Sequence, residues 1–421
     1  MMLLIRGGVL IDPETNSAGS ADILIEDGKV KALGSGLSAQ NAEVIEAEGL
    51  TVAPGLFDVH CHLREPGFEY KEDIKSGLSA AAKGGFTSVA CMPNTRPVAD
   101  NEKTLLYITE QARKASGVNV FPIAAITEGS LGLRLTDMEK LSSLGAAAFS
   151  DDGRPVPDAS VMRRAMLRAK ETDALIISHC EDAALSGKGV MNEGILSKKL
   201  GYKGVPGSSE EIIVAREAVL ALETGARVHI AHVSTKTSVE IVRFAKAQGA
   251  RLTCETCPHY FSLTEDSIEA KGALAKVNPP LRTEKDIEAV IGGLKDGTID
   301  VIATDHAPHS KEEKLNLITA PSGFSGFETA LSISLTYLNG RLTVQEIISK
   351  LTINPAMTLR RDKGIIREGK EADIVIFDPE AVWEVDGDQF LSKGKNTPYN
   401  GVTLKGKVVY TIAKGNVIYK G

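Results

Sequence analysis

The feature that most restricts how this chain can fold is an alternation. Short apolar runs rich in β-branched residues recur eight times: GLFDVHCH (55–62), FTSVACMPN (86–94), NVFPIAAIT (119–127), AAAFSDD (146–152), ALIISHC (174–180), RVHIAHVS (227–234), RLTCETC (251–257) and DVIATDH (300–306). Segments such as 101–115, 159–171, 209–225 and 236–249 lie between them, with apolar positions three and four residues apart and glycine near several of their ends. Runs of the first kind suit strands buried on both faces, and segments of the second kind suit amphipathic helices that cover them. Eight such repeats predict a parallel sheet closed on itself, a (β/α)8 TIM barrel of α/β class.

The ends of the chain read differently. Residues 1–53 contain VLIDPETN, ADILIEDGKVKALG and AEVIEAEGLTV, and residues 364–421 contain EADIVIFDP, GKVVYTIAKG and NVIYKG, all short strands broken by Asp-Gly and Gly turns. Neither end is long enough for a core of its own. Both are expected to combine into one small flanking β-domain, which leaves 54–363 as the barrel. MMLLIRGGVLIDPE at the start reads as a strand entering a turn rather than a secretory signal.

Charge and composition exclude several functions. The net charge of −7 arises from 55 acidic and 48 basic residues without long blocks of either sign, so no basic footprint for nucleic acid or anionic membrane is present. No apolar run is long enough to cross a bilayer. The five cysteines are expected as buried free thiols in a reducing, cytoplasmic setting. Cys254 and Cys257 match C-x-x-C but lack the second pair of a zinc ribbon.

In a barrel of this kind, function gathers at the C-terminal ends of the strands, where loops vary over a packed interior. Polar residues fall there repeatedly: His60, His62 and Arg64 after the first run, Asn94 after the second, Asp151 and Asp152 after the fourth, His179 after the fifth, His232 after the sixth, and Asp305 and His309 after the eighth. Side chains at i and i+2 of a strand share a face, so His60 and His62 can hold one ion together. Four imidazoles with two or three carboxylates exceed what one tetrahedral zinc needs and suit a pair of metal ions that make water nucleophilic and polarise a carbonyl. A single histidine on an apolar strand is more often a satisfied core residue, but so many at strand ends are hard to explain by packing, because unpaired polar groups are costly to bury. His229, three residues before His232, reads as lying on the opposite face with a structural role, and His259 and His306 as supporting groups at most.

DVHCHLREPG, MPNT, FSDDG, SHCED, HVS, TCPHY, NPPLR and ATDHAPH together resemble the amidohydrolase superfamily, and within it the dihydroorotases of the long bacterial type I form. The resemblance covers nearly the whole chain. It implies reversible, zinc-dependent cyclisation of N-carbamoyl-L-aspartate to L-dihydroorotate in pyrimidine synthesis. It implies one ion held by His60, His62 and Asp305, a second held by His179 and His232, and a bridging aspartate that family spacing assigns to Asp152, with Asp151 left open beside it. Asp305 would be the proton-transferring residue. His62, Arg64, Asn94, Asn278, His309 and the Ser322-Gly323 backbone resemble the family's substrate contacts. Relatives acting on hydantoins, dihydropyrimidines or allantoin generally carry a carboxylated lysine at the fourth strand end; AAAFSDDG has none. Ser322 stands where an apolar or aromatic residue is expected, and residues 310–323 could close over the mouth. Another cyclic amidase and a non-catalytic scaffold are the competing readings. A homo-oligomer, and association with aspartate carbamoyltransferase, are further expectations that the sequence itself does not fix.

Overall fold

The computed structural model describes residues 2–115 and 117–421. The first three barrel strands, Leu56–Cys61, Phe86–Cys91 and Asn119–Pro122, pair in parallel. The fifth to eighth, Leu175–Ser178, Arg227–Ile230, Leu252–Thr256 and Val301–Ile302, do the same. The fourth run forms no regular strand; Phe149 alone bridges Ala124 on one side and Ile176 on the other. Its chain leaves extended pairing because Asp151 turns back to accept from the amides of Ile126 and Thr127 at 2.8 and 3.1 Å. A parallel bridge between Cys61 and His306 closes the ring.

The eighth strand is only two residues long for a similar reason. The buried Asp58 carboxylate accepts from the Thr304 amide at 2.9 Å and from the His60 amide at 3.2 Å, taking the place of backbone partners on both sides of the seam. Burial pushes Asp58 up to about 7, against the opposing hydrogen bonds from Thr304.

Helices form between the strands where the spacing predicts them. Glu102–Ala115, Ala159–Glu171, Ser208–Thr224 and Lys236–Ala247 match the four amphipathic segments. Asp158 and Thr235 accept from first-turn amides of the second and fourth of these, supplying partners that a helix start otherwise lacks. Gly225 ends Ser208–Thr224 in the left-handed conformation, φ 68°. Among the described residues no helix is long and apolar enough to cross a membrane.

Inside the ring lies an apolar set drawn from seven of the eight runs: Phe57, Val59, Ala90, Met92, Ile123, Ala148, Leu175, Ile177, Ala231, Val301 and Ala303, capped by Ala356 and Leu359. The seventh strand contributes none. Its Leu252 and Cys254 belong to the core outside the ring, and strand alternation therefore sends Thr253 and Glu255 inward.

Both chain ends join one sheet. Met2–Asp12, Ser17–Glu26, Lys29–Gly34, Glu43–Glu46 and Thr51–Pro54 assemble with Ile374–Glu384, Thr403–Ala413 and Asn416–Lys420, the join being Thr51–Pro54 antiparallel to Ile374–Phe377. The stretch between Glu384 and Thr403 departs from the expected all-strand tail and packs on the barrel. Ser392 Oγ donates to the buried Glu72 carboxylate, Asn396 Nδ2 donates to Gly323 O at 3.0 Å, and the Tyr399 hydroxyl meets Ser262 Oγ at 2.6 Å.

Candidate active site

The strand ends bring the predicted residues to one place. A polar cavity of about 220 Å³ at the barrel mouth is walled by His62, Arg64, Asn94, Asp152, His179, His232, Asn278, Asp305, Ser322 and Gly323, with Gly153 and Ala307. His60 lies beneath it, fully buried. His309 borders it through Arg64 and Ser322.

Asp152 sits at the centre. Its carboxylate is 3.5 Å from His60 Nε2, 3.7 Å from His62 Nε2, 3.4 Å from His179 Nδ1 and 3.9 Å from His232 Nε2. Asp151, the alternative left open by the sequence, is wholly engaged with Ile126 and Thr127. Asp305 Oδ1 lies 3.1 Å from His62 Nε2 and 3.6 Å from His60 Nε2. His179 Nδ1 and His232 Nε2 face each other at 2.8 Å.

The backbone explains how His232 and Asp305 reach this centre. Both have positive φ, 36° and 45°, which is rare for residues with a side chain. After Ala231, which points into the ring, regular alternation would carry His232 outward; the left-handed turn redirects it to the mouth. The same geometry corrects the reading of His229. It lies on the inward face, not the opposite one, and its ring contacts Thr253 Oγ1 at 2.7 Å and Glu255 Oε2 at 3.1 Å.

The donor set fits metal ions. Two groups, His60 with Asp152 and His232, and His60 with His62 and Asp305, each hold their ligand atoms within 4.8 Å of one another. Ligands about 2.0–2.1 Å from a tetrahedral ion are roughly 3.3 Å apart, close to the separations found. His60 Nε2 and Asp152 Oδ1 are buried without any hydrogen-bond partner, an arrangement that is costly unless a cation satisfies both.

Three of the four outer ring nitrogens have acceptors, and His232 Nδ1 has none. His60 Nδ1 meets Glu255 Oε1 at 2.5 Å, His62 Nδ1 meets Asn94 Oδ1 at 2.9 Å, and His179 Nε2 meets Glu181 Oε2 at 3.0 Å. Acceptors on the outer nitrogen keep the ring proton there and leave the inner lone pair free. Glu181 also accepts from Asn278 Nδ2 at 2.9 Å, joining a predicted substrate contact to the imidazole cluster. Glu181 and Glu255 were missed from the sequence. The signal for Glu255 was present: a lone acid at an inward position of the strand RLTCETC.

Electrostatics point the same way. Burial by itself would lower His179, yet hydrogen bonds to Asp152 and Glu181 push it up to about 10. Burial would raise Asp152 and Asp305, yet the surrounding imidazoles hold both well below the usual carboxylate range.

At the rim, Arg64 Nε donates to Pro308 O at 3.3 Å, which aims the guanidinium along the cavity wall. His309 accepts from Lys71 Nζ at Nδ1 (3.2 Å) and so donates from Nε2 to Ser322 O at 2.8 Å. Burial and the charges of Arg64, Lys71 and Lys314 bring His309 down to about 2, leaving the ring neutral. The Gly323 amide is taken by Lys276 O at 2.9 Å. A side chain at Gly323 would meet Ala307 Cβ at 2.5 Å, and its φ of 114° also requires glycine.

Comparison with known proteins agrees with this geometry. The dihydro-orotase-like family matches residues 49–238, and the amidohydrolase family matches residues 317–419. The dihydroorotase of Acetivibrio thermocellus is 51% identical over 99% of both chains, and that of Geobacter metallireducens is 51% identical over the full length of both. Among solved structures, the L-hydantoinase (dihydropyrimidinase) of Arthrobacter aurescens superposes with a TM-score of 0.89 at 26% identity, covering 99% of this chain and 96% of that one. With half of its residues shared along the whole length of such relatives, the chain belongs to the dihydroorotase family.

Proposed function

We propose that the protein is a dihydroorotase that interconverts N-carbamoyl-L-aspartate and L-dihydroorotate, a ring closure of pyrimidine synthesis, using two zinc ions. His60, His62 and Asp305 would hold one ion and His179 and His232 the other, with Asp152 placed beside both sets. The observation that carries this reading is Asp152 among four imidazoles with Arg64 on the same cavity wall. When bound, zinc supplies a Lewis acid that polarises the carbonyl and lowers the pKa of water.

The protein's own groups do the rest. Arg64 offers a planar, permanently charged donor to the substrate carboxylate. Asn94 and Asn278 line the same cavity and orient the ring beside the aspartates, while His309, Ser322 and Gly323 close the rim. In the hydrolytic direction Asp305 accepts a proton from the attacking water and passes it to the departing ring nitrogen; ring closure reverses both transfers. Its carboxylate lines the cavity 3.1 Å from His62 Nε2, within reach of a water or ring held there.

The division into a flanking β-domain, 1–53 with 364–421, and a catalytic barrel, 54–363, belongs to this reading. So does a cytoplasmic setting, which suits five buried free thiols. A homo-oligomer that associates with aspartate carbamoyltransferase completes it, and co-sedimentation with that enzyme tests the last point.

The deciding experiment is an assay with L-dihydroorotate and N-carbamoyl-L-aspartate, with and without a chelator, run beside hydantoin, dihydrouracil and allantoin. Chelator-sensitive turnover of the first pair alone is expected. Preferential opening of one of the other rings would make the protein a different cyclic amidase, and absence of turnover with all of them would make it a scaffold.

A further inference from the structure

Glu255 is a carboxylate placed in the centre of the barrel, with no exposed surface. The other seven runs all place apolar side chains inside the ring, and an apolar filling at 255 would avoid the cost of burying a charge. Both of its oxygens are committed to imidazoles: Oε1 to His60 Nδ1 at 2.5 Å, Oε2 to His229 Nε2 at 3.1 Å. Oε1 also receives the His232 amide at 3.4 Å. His229 is fixed in turn by Thr253 Oγ1 at 2.7 Å.

The carboxylate fixes the direction of two of these bonds. Glu255 can only accept, so His60 donates from Nδ1 and His229 from Nε2. The other His229 nitrogen, Nδ1, meets Thr253 Oγ1, which fixes the ring from its far side. The row therefore runs Thr253, His229, Glu255, His60, and it ends at His60 Nε2, the unpartnered atom facing Asp152 and Asp305. His60 belongs to both candidate ligand groups, so its orientation affects both.

We propose that Glu255 and His229 are positioning residues of the metal centre: Glu255 holds the His60 ring proton on Nδ1 and aims Nε2 at the ion it would hold with His62 and Asp305, and His229 holds Glu255 in place. The inference rests on the metal-dependent reading above and extends it to two residues outside the ligand set. A glutamine at 255 has one acceptor oxygen for two imidazole donors, and its NH2 can present a proton to His60 Nδ1 and drive the ring proton onto Nε2. That exchange alters the ligand without altering the shape of the core.

The test is zinc(II) titration of the metal-free full-length protein against a competing chelator, with visible absorption of the cobalt(II) form as a second reading. Glu255→Gln is expected to bind zinc about 10–100-fold more weakly and to change the cobalt spectrum. His229→Gln is expected to act in the same direction by less, and to add nothing in the Glu255→Gln background, because it acts through Glu255. Zinc affinity and cobalt spectrum unchanged in Glu255→Gln overturn the proposal, as does a His229→Gln effect of equal size in both backgrounds. Should Glu255→Gln not accumulate as folded protein, the isosteric Thr253→Val and His229→Gln carry the test, and wild-type zinc affinity in both overturns it. A wild-type chain that binds no zinc overturns this inference together with the metal-dependent function. Weakened zinc binding in the variants of a protein that opens a different ring supports the inference while correcting the substrate.

Discussion

His62 stands between two strand ends: Nε2 lies 3.1 Å from Asp305 Oδ1, and Nδ1 lies 2.9 Å from Asn94 Oδ1. The aspartate that is to move protons thereby faces the inner nitrogen of a ring that is itself fixed from the second strand end. Asp305→Asn removes the base while keeping the shape, so turnover of dihydroorotate should fall by at least about 10²–10⁴-fold. Far-ultraviolet circular dichroism should be unchanged. Turnover within tenfold of wild type would end the assignment.

Arg64 has one backbone acceptor, Pro308 O, and its remaining donors face the cavity wall. A hydrogen bond to a charged group contributes about 1.5–3 kcal/mol. Arg64→Met should therefore raise KM for carbamoyl aspartate by about 10–100-fold, with a smaller fall in kcat from misplacement of the ring. Steady-state kinetics in both directions measure the split.

Metal removal should act on stability as well as activity. A ligand that binds only the folded state stabilises it by about 2.7–4.1 kcal/mol at 100 to 1,000 times its Kd. Dialysis against a chelator should abolish turnover and lower the calorimetric Tm, and zinc should restore both. A Tm that ignores zinc would place the ions elsewhere.

Lys314 gives a prediction with a definite sign. Its Nζ is buried and donates to Pro321 O and Gly323 O at 2.9 Å, pinning the segment that carries Ser322 over the cavity. Burial, with Lys276 nearby, lowers Lys314 to about 7 from 10.5. Between those values the unfolded chain binds the proton and the folded chain does not, so stability rises with pH across about 7 to 10 and the gain is lost below it. Urea unfolding at pH 6.5 and 9.5 should show wild type gaining on Lys314→Met at the higher pH. An unchanged difference would mean that the amine stays charged in the fold.

Much of the architecture was readable in advance because parallel strands buried on both faces leave continuous apolar runs, and covering helices leave a three-and-four spacing. The candidate ligands were readable because all of them sit at the C-terminal ends of those runs. The fourth run escaped because its pairing is displaced by side-chain acceptance at Asp151, which no propensity records. The face of His229 is hidden from the sequence because the positive φ of His232 breaks the alternation that relates the two residues. The 385–402 segment escaped because its partners, Glu72, Ser262 and Gly323, lie far away in the chain.

From the order of its residues alone the chain determines a barrel, the end of the barrel that does chemistry, and the imidazoles and carboxylates gathered there, since each follows from local periodicity and strand alternation. Closure of the ring alone decides which of two adjacent aspartates faces the imidazoles, and that Glu255 and Glu181 orient rings borne on other strands. A hydrogen bond depends on distances of tenths of an ångström and on direction, and those are set only when strands separated by up to two hundred residues are brought side by side.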